Sequence, residues 1–259
     1  MLRHNIISLT ERFLELEQLL GINTTFSNPL SDLIISNGDD METAANELHK
    51  HWDLGFNPLG SVIGILENNG IKVIEIEWDD SFEGYSAYAN ETYPVIVIRK
   101  DATTERKRFT ALHELAHLML EFDPALTDNS IEKLCHHFAG AMLVPKKIFL
   151  SEIGTYRTGF SKRELGVLKD KYGISAIALI MRASNLGVLS RNHLIPLLQM
   201  VRKDKYEQHI GTNKSTDNAT RFDQLLSRAL TENHISITKA AELAQMDLDD
   251  FIQNYTDND

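Results

Sequence analysis

The chain has 259 residues, 42% of them hydrophobic and 24% charged, the balance of a soluble globular protein with one large domain, or one domain and an appendage. Its formal net charge of −11 gives no electrostatic footprint for phosphates, so direct nucleic-acid binding by this chain is not expected, and a basic protein partner suits it better. No apolar run reaches the length of a membrane span and no signal segment opens the chain; the single cysteine, Cys135, excludes an internal disulfide, and the expected location is the cytoplasm.

Residues 8–21 read as a short amphipathic helix, capped by Ser8 or Thr10 and ended by Gly21. Residues 22–40 are rich in Asn, Ser, Thr and Asp and read as a linker. Residues 42–54 suit a helix with Ala45, Leu48 and Trp52 inward. Asn57-Pro58 offers a cap followed by proline at the first helical position, with Leu59, Val62, Ile63 and Leu66 as the apolar stripe and Gly70 at the exit. Three strands are expected at residues 71–77, 84–88 and 94–98, the second and third joined by a turn at Asn90-Glu91.

The next stretch, Arg108-Phe-Thr-Ala-Leu-His113-Glu114-Leu-Ala-His117-Leu-Met-Leu120, holds His-Glu-x-x-His in a run without Gly or Pro. Thr103, Thr104 and Glu105 suit its first turn. Residues four apart stack on one helix face, so His113 and His117 can aim two imidazoles at one point. Glu114, about 100° round the helix, stands beside that point. Two nitrogen ligands and a carboxylate base are the mechanical content of the zinc metallopeptidase motif. Burying these three polar groups unpaired on an apolar helix would be costly.

Asp123-Pro124 breaks the chain, and residues 129–144 form the next helix, with Ile131, Leu134, Phe138 and Met142 as its stripe and Pro145 at its end. Ser161-Lys-Arg-Glu164 fits a capping box for a helix closed by Gly173. Ser175 caps another that ends at Gly187; residues 191–203 are helical around Pro196, residues 211–219 are a polar break, and residues 221–254 hold two or three short helices.

A catalytic zinc site needs a third protein ligand. Glu121, Asp123, Asp128, Glu132, His136 and His137 lie within reach in sequence. Glu121 would sit on the same helix, and three ligands in a row do not surround an ion. Glu132, opening the helix that returns against the first, is the first choice; His136, sharing its face, is the alternative, as ligand or as outer donor. Cys135 lies beside an apolar stripe and reads as a buried, inert thiol. His49 and His51 are spaced so that they do not converge, and His193, His209 and His234 carry no spacing signal. An oxyanion donor is not identified; Tyr85, Tyr88 and Arg108 are the available guesses.

The segment 108–120, followed by Glu132-Lys-Leu-Cys-His-His-Phe-Ala-Gly-Ala-Met-Leu-Val-Pro145, resembles the ImmA/IrrE metallopeptidases. Trp52-Asp-Leu-Gly-Phe-Asn-Pro58 with Leu66-Glu-Asn-Asn-Gly-Ile-Lys-Val73 is similar to that family's opening segment, and Lys171-Tyr-Gly-Ile-Ser-Ala176 through Arg182-Ala-Ser-Asn-Leu-Gly187 to its later helices. The resemblance, spanning residues 41–200, implies an α+β, mainly helical, zincin-like domain with a small three-stranded sheet beside the His-Glu-x-x-His helix and further helices after it. It implies Glu132 as third ligand, Zn2+ as cofactor and Glu114 as catalytic base. His136 stands where the family often has Asn, which leaves its part in the site open.

The expected organisation is an N-terminal helix and linker (1–40), a metallopeptidase domain (41–205) and a C-terminal helical appendage (206–259). Relatives often carry an N-terminal helix-turn-helix domain; residues 8–40 resemble the linker of such a fusion, so the chain is expected to be a stand-alone form or a fragment without that head. Ser236 to Phe251 superficially echoes a helix-turn-helix but is acidic and holds no Arg, so it reads as packing. The implied function is a regulatory zinc endopeptidase that cleaves, or binds, a helix-turn-helix repressor of a mobile element or stress regulon. The alternative is a non-catalytic sensor or antitoxin-like module of a regulator. Oligomeric state is not legible.

Overall fold

A computed structural model of the chain describes residues 2–79, 81–203, 210–211 and 216–256, without the side chains of residues 203 and 256. The first elements are α1 (Leu2–Leu19), β1 (Ile34–Ile35), α2 (Gly38–His51) and α3 (Val62–Asn68). Then come β2 (Lys72–Ile76), β3 (Gly84–Ala89), β4 (Tyr93–Arg99), α4 (Thr104–Met119), β5 (Glu121–Phe122) and α5 (Asp128–Leu143). The rest is helical: α6 (Lys146–Ile153), α7 (Lys162–Tyr172), α8 (Ala176–Asn185), α9 (Arg191–Lys203), α10 (Arg221–Thr231), α11 (Ile237–Ala244) and α12 (Leu248–Thr256). The fold is α+β and mainly helical around a small mixed sheet. His209 and residues 212–215 of the expected polar break lie outside the described residues. Among the described residues no helix is long and apolar enough to cross a membrane.

The sheet has the order β2-β4-β3, with β2 parallel and β3 antiparallel to β4. Side chains of a strand alternate between faces, and β4 uses both. Ile96 and Ile98 enter the main core with α4, while Val95 and Val97 join Ile74 and Ile76 beneath Ile6 of α1. All four β4 side chains are at most 4% exposed, each burial contributing about 1.5–3 kcal/mol. That second apolar face explains why α1 begins at Leu2 and not at Ser8, since Ile6 is needed to cover it. Further along α1, Phe13 and Leu16 share a separate small core with Leu225, Leu226 and Ala229 of α10, Ala240, Ala241 and Leu243 of α11, and Phe251 of α12. Lys72 of β2, 2% exposed, is paired with Glu17 of α1 at 3.1 Å.

Two further helix starts differ from expectation, that of α2 for a local reason and that of α3 for a tertiary one. Helix α2 begins at Gly38, capped by Asn37, whose backbone N–H donates in return to Asp40. Helix α3 begins after Ser61, not at Asn57-Pro58. Leu59 and Gly60 stay outside it because their carbonyls accept hydrogen bonds from buried Arg108. The α3 start is held from far along the chain: Asp217 accepts from the Val62 and Ile63 N–H groups and the Ser61 hydroxyl, and pairs with Arg108 at 3.3 Å. The short β1–β5 pair, the Thr127 cap of α5 and helix α6 carry no expectation in the pattern.

Helices α2, α5 and α8 meet round a buried charge cluster. Glu42 receives two hydrogen bonds from Arg182, the second at 2.8 Å, and one from His137 at 2.6 Å; Arg182 also donates to the Val144 carbonyl. Burial alone would raise the Glu42 carboxyl, but the hydrogen bonds from Arg182 and His137 overcome it and hold it at about 2. A folded pKa below the unfolded value means stability present above the unfolded pKa and lost as pH falls towards the folded one. The difference in urea midpoint between the wild type and Glu42→Gln should therefore shrink as pH drops from about 4.5 towards 2; a constant difference would contradict this.

Candidate metal centre

Helix α4 is held at its start by Thr103, whose hydroxyl accepts from the Arg106 N–H. Its Ala111, Leu112, Leu115 and Ala116 are at most 2% exposed in the main core. The opposite, cleft-facing side carries His113 and His117. Helix α5 packs beside it, started by Thr127 accepting from the Ser130 N–H. That start sets Glu132 in the second turn of α5, facing the two imidazoles.

The three side chains converge. His113 Nε2 and His117 Nε2 are 3.2 Å apart; Glu132 Oε2 lies 3.2 Å from the first and Oε1 lies 3.3 Å from the second, so the carboxylate straddles the pair. One ligand atom from each residue falls within 4.8 Å of the others. Donors about 3.3 Å apart are edges of a tetrahedron whose centre is about 2.0 Å from each corner, the zinc–nitrogen and zinc–oxygen distance. Two histidines and a glutamate are also the donor set of one class of catalytic zinc site. The residues present fit such an ion.

Their electrostatics agree with that fit. Burial first, then the rings of His136 and His117 and the guanidinium of Arg106, push the His113 imidazole down to about 3. It is neutral near pH 7, as a metal ligand must be. His117 Nδ1 lies 3.7 Å from Cys135 Sγ. Burial raises the Cys135 thiol far above its usual range, so it stays protonated, as expected of a buried, unreactive cysteine. In the tautomer that carries its proton on Nδ1, towards the sulfur, His117 Nε2 keeps its lone pair towards the other two donors.

Glu114 stands beside the cluster on the sheet side. Ser86 of β3 donates to its Oε2 at 2.7 Å. Burial raises the Glu114 carboxyl, against the Ser86 hydrogen bond that lowers it. Strand β3 comes this close because it opens with glycine. A Cβ on Gly84 would lie 2.5 Å from Thr110 Cγ2 and 2.9 Å from Glu114 Oε1. Gly84→Ala is thus expected to push β3 off α4 and lower stability by about 1–3 kcal/mol, the range for overpacking; an unchanged thermal midpoint would show that β3 yields freely.

The neighbouring candidates separate clearly. His136 reaches the cleft, its ring 4.5 Å from that of His113 and stacked on Phe109 at 5.8 Å. His137 faces away to Glu42, Glu121 pairs in β5, and the Asp123 carboxylate accepts from Ser36 and the Ala125 N–H. Asp128 is the first residue of α5. His49 is tied to the Met142 and Gly55 carbonyls. Of the oxyanion guesses, Arg108 is overturned: it is 3% exposed and donates to the Leu59, Gly60 and Tyr172 carbonyls, away from the cleft. Tyr88 donates to the Leu118 carbonyl at 3.1 Å, and Tyr85 lines the cleft half-exposed. Ser86 and Gly84 were not expected here. Gly84, Ser86 and Tyr88 alternate along β3, so one face meets α4 throughout, a period-two signal the sequence did contain. The cleft over the cluster has a volume of about 580 Å³ and is lined by residues of β3, α4 and α5.

Residues 66–184 match the family model Peptidase_M78, the IrrE N-terminal-like domain. No curated protein matches the chain. Among solved structures, a Mycobacterium tuberculosis transcriptional regulator is similar with a TM-score of 0.40 and 16% identity, over 56% of this chain and 46% of that one, so the chain spans under half that structure's length.

Proposed function

We propose that the protein is a zinc endopeptidase that acts in regulation by cleaving another protein, a reading supported by the match of residues 66–184 to the IrrE N-terminal-like model of the M78 peptidases. The convergence of His113, His117 and Glu132, with Glu114 alongside, carries this reading. The three donors would hold the ion, which when bound supplies Lewis acidity to an attacking water and to the scissile carbonyl. Glu114 accepts the water's proton on one side of the cleft and returns it to the leaving amine. Ser86 fixes the rotamer of that carboxylate, and burial raises its proton affinity towards the working range. Strand β3 is the edge of its sheet, so an extended substrate segment can pair with its backbone beside the cleft.

The substrate class follows from the family resemblance: a helix-turn-helix repressor, met in the cytoplasm. Metal analysis of the purified protein, with incubation beside a repressor encoded in the same gene neighbourhood, tests it. One zinc per chain and a discrete cut in the repressor are expected, and Glu132→Ala should lower metal affinity by at least about 100-fold. A metal-loaded protein that binds the repressor without cutting it would favour an interaction module instead.

A further inference from the structure

A second, larger cavity of about 990 Å³ adjoins the cleft, and Arg106, Phe109 and His136 line both. It is lined by residues of α4, α5, α7, α8 and α9, Gly140 of α5 among them. Its body is apolar, formed by Phe109, Ile177, Ala178, Met181 and Ile210. Its charged lining is one-sided. Among the described residues Arg106, Lys133, Lys169, Arg182 and Arg202 stand at it with Glu105 as the one carboxylate; Glu105 pairs with Lys169 at 3.5 Å, Arg106 with Glu83 and Arg182 with Glu42. Lys133 and Arg202 make no ion pair among the described residues and are exposed. This cationic rim stands out in a chain of net charge −11.

We propose that this cavity is a specificity subsite that takes the part of the substrate beyond the scissile bond, an apolar side chain flanked by carboxylates. Its place relative to the cut rests on the peptidase reading; its preference for acidic, apolar peptide does not. The size falls within that of ligand pockets, which are mostly apolar with a few placed polar groups. Cations at the rim select by charge and exclude basic segments by like-charge repulsion. Met181, 40% exposed, offers an adaptable surface for an apolar side chain.

The test uses the full chain as Glu114→Gln, zinc-loaded, so that peptides bind without being cut. Three fluorescein-labelled peptides of equal length are compared by polarisation: alternating Glu and Leu, alternating Lys and Leu, and alternating Glu and Ser. The Glu–Leu peptide should bind at least about tenfold tighter than either other. Lys133→Glu with Arg202→Glu should remove that advantage over the Lys–Leu peptide, and Met181→Arg should weaken Glu–Leu binding; these surface changes leave the core untouched. Equal binding of the three peptides, no binding at all, or a preference that survives the charge reversals overturns the proposal. If the wild type cuts a repressor while the three peptides bind alike, this inference alone fails. If selective, Met181-dependent binding occurs without any cleavage, the subsite stands and the peptidase reading fails.

Discussion

Glu114→Gln is expected to retain its metal and lose about 10²- to 10⁴-fold in turnover, the usual contribution of a positioned acid–base group. The amide keeps the shape of the carboxylate, and its carbonyl oxygen still accepts from Ser86. The close approach of Gly84 and Thr110 is undisturbed, since no atom is added. What disappears is the capacity to take a proton. Single-turnover cleavage, with metal content measured on the same sample, checks this. Undiminished cleavage by the variant would remove Glu114 from the role assigned to it; loss of metal would mean that it holds the site together and does not act in the reaction.

The largest stability effect is expected at Glu42. Glu42→Ala strips Arg182, whose side chain is 0% exposed, of its carboxylate. A buried charge left without its partner lowers stability by about 3–5 kcal/mol. In a protein of this size that corresponds to roughly 10 °C in the thermal midpoint. Among the described residues Arg182 then keeps its hydrogen bond to the Val144 carbonyl, and His137 loses the Glu42 carboxylate as well. Calorimetry of the variant, with Arg182→Met and the double substitution, separates the coupling from the packing. A fall under about 1 kcal/mol would show that water reaches the guanidinium.

Much of the candidate centre could be read before any coordinates. His113, Glu114 and His117 are local: their relative placement needs only a helix, and the apolar run round them dictates one. Glu132 needed one more step, a hairpin between two helices, and the break at Asp123-Pro124 announced it. The Asn90-Glu91 turn lies where expected, both residues at positive φ, 49° and 59°. What escaped depends on contacts distant in sequence. Ser61 replaced Asn57 as a cap because Arg108 claims two carbonyls and Asp217 claims two N–H groups. Arg108 looked like a site residue because it opens the motif run, yet its side chain leaves the helix on the core side. Ser86 sits on a weakly patterned strand whose meaning appears only when β3 is laid against α4.

The ion pairs under the His-Glu-x-x-His helix and the sheet set a rule for dividing the chain. The three most deeply buried cations among the described residues between 66 and 184 are Lys72, Arg108 and Arg182. Their carboxylates are Glu17, Asp217 and Glu42, every one contributed by sequence on the far side of those limits. The stretch that matches the family model is therefore not the stretch able to fold. Excised at those borders, it would carry three uncompensated charges in its interior and should collapse or aggregate, whereas a fragment reaching from α1 through Asp217 keeps all three neutralised.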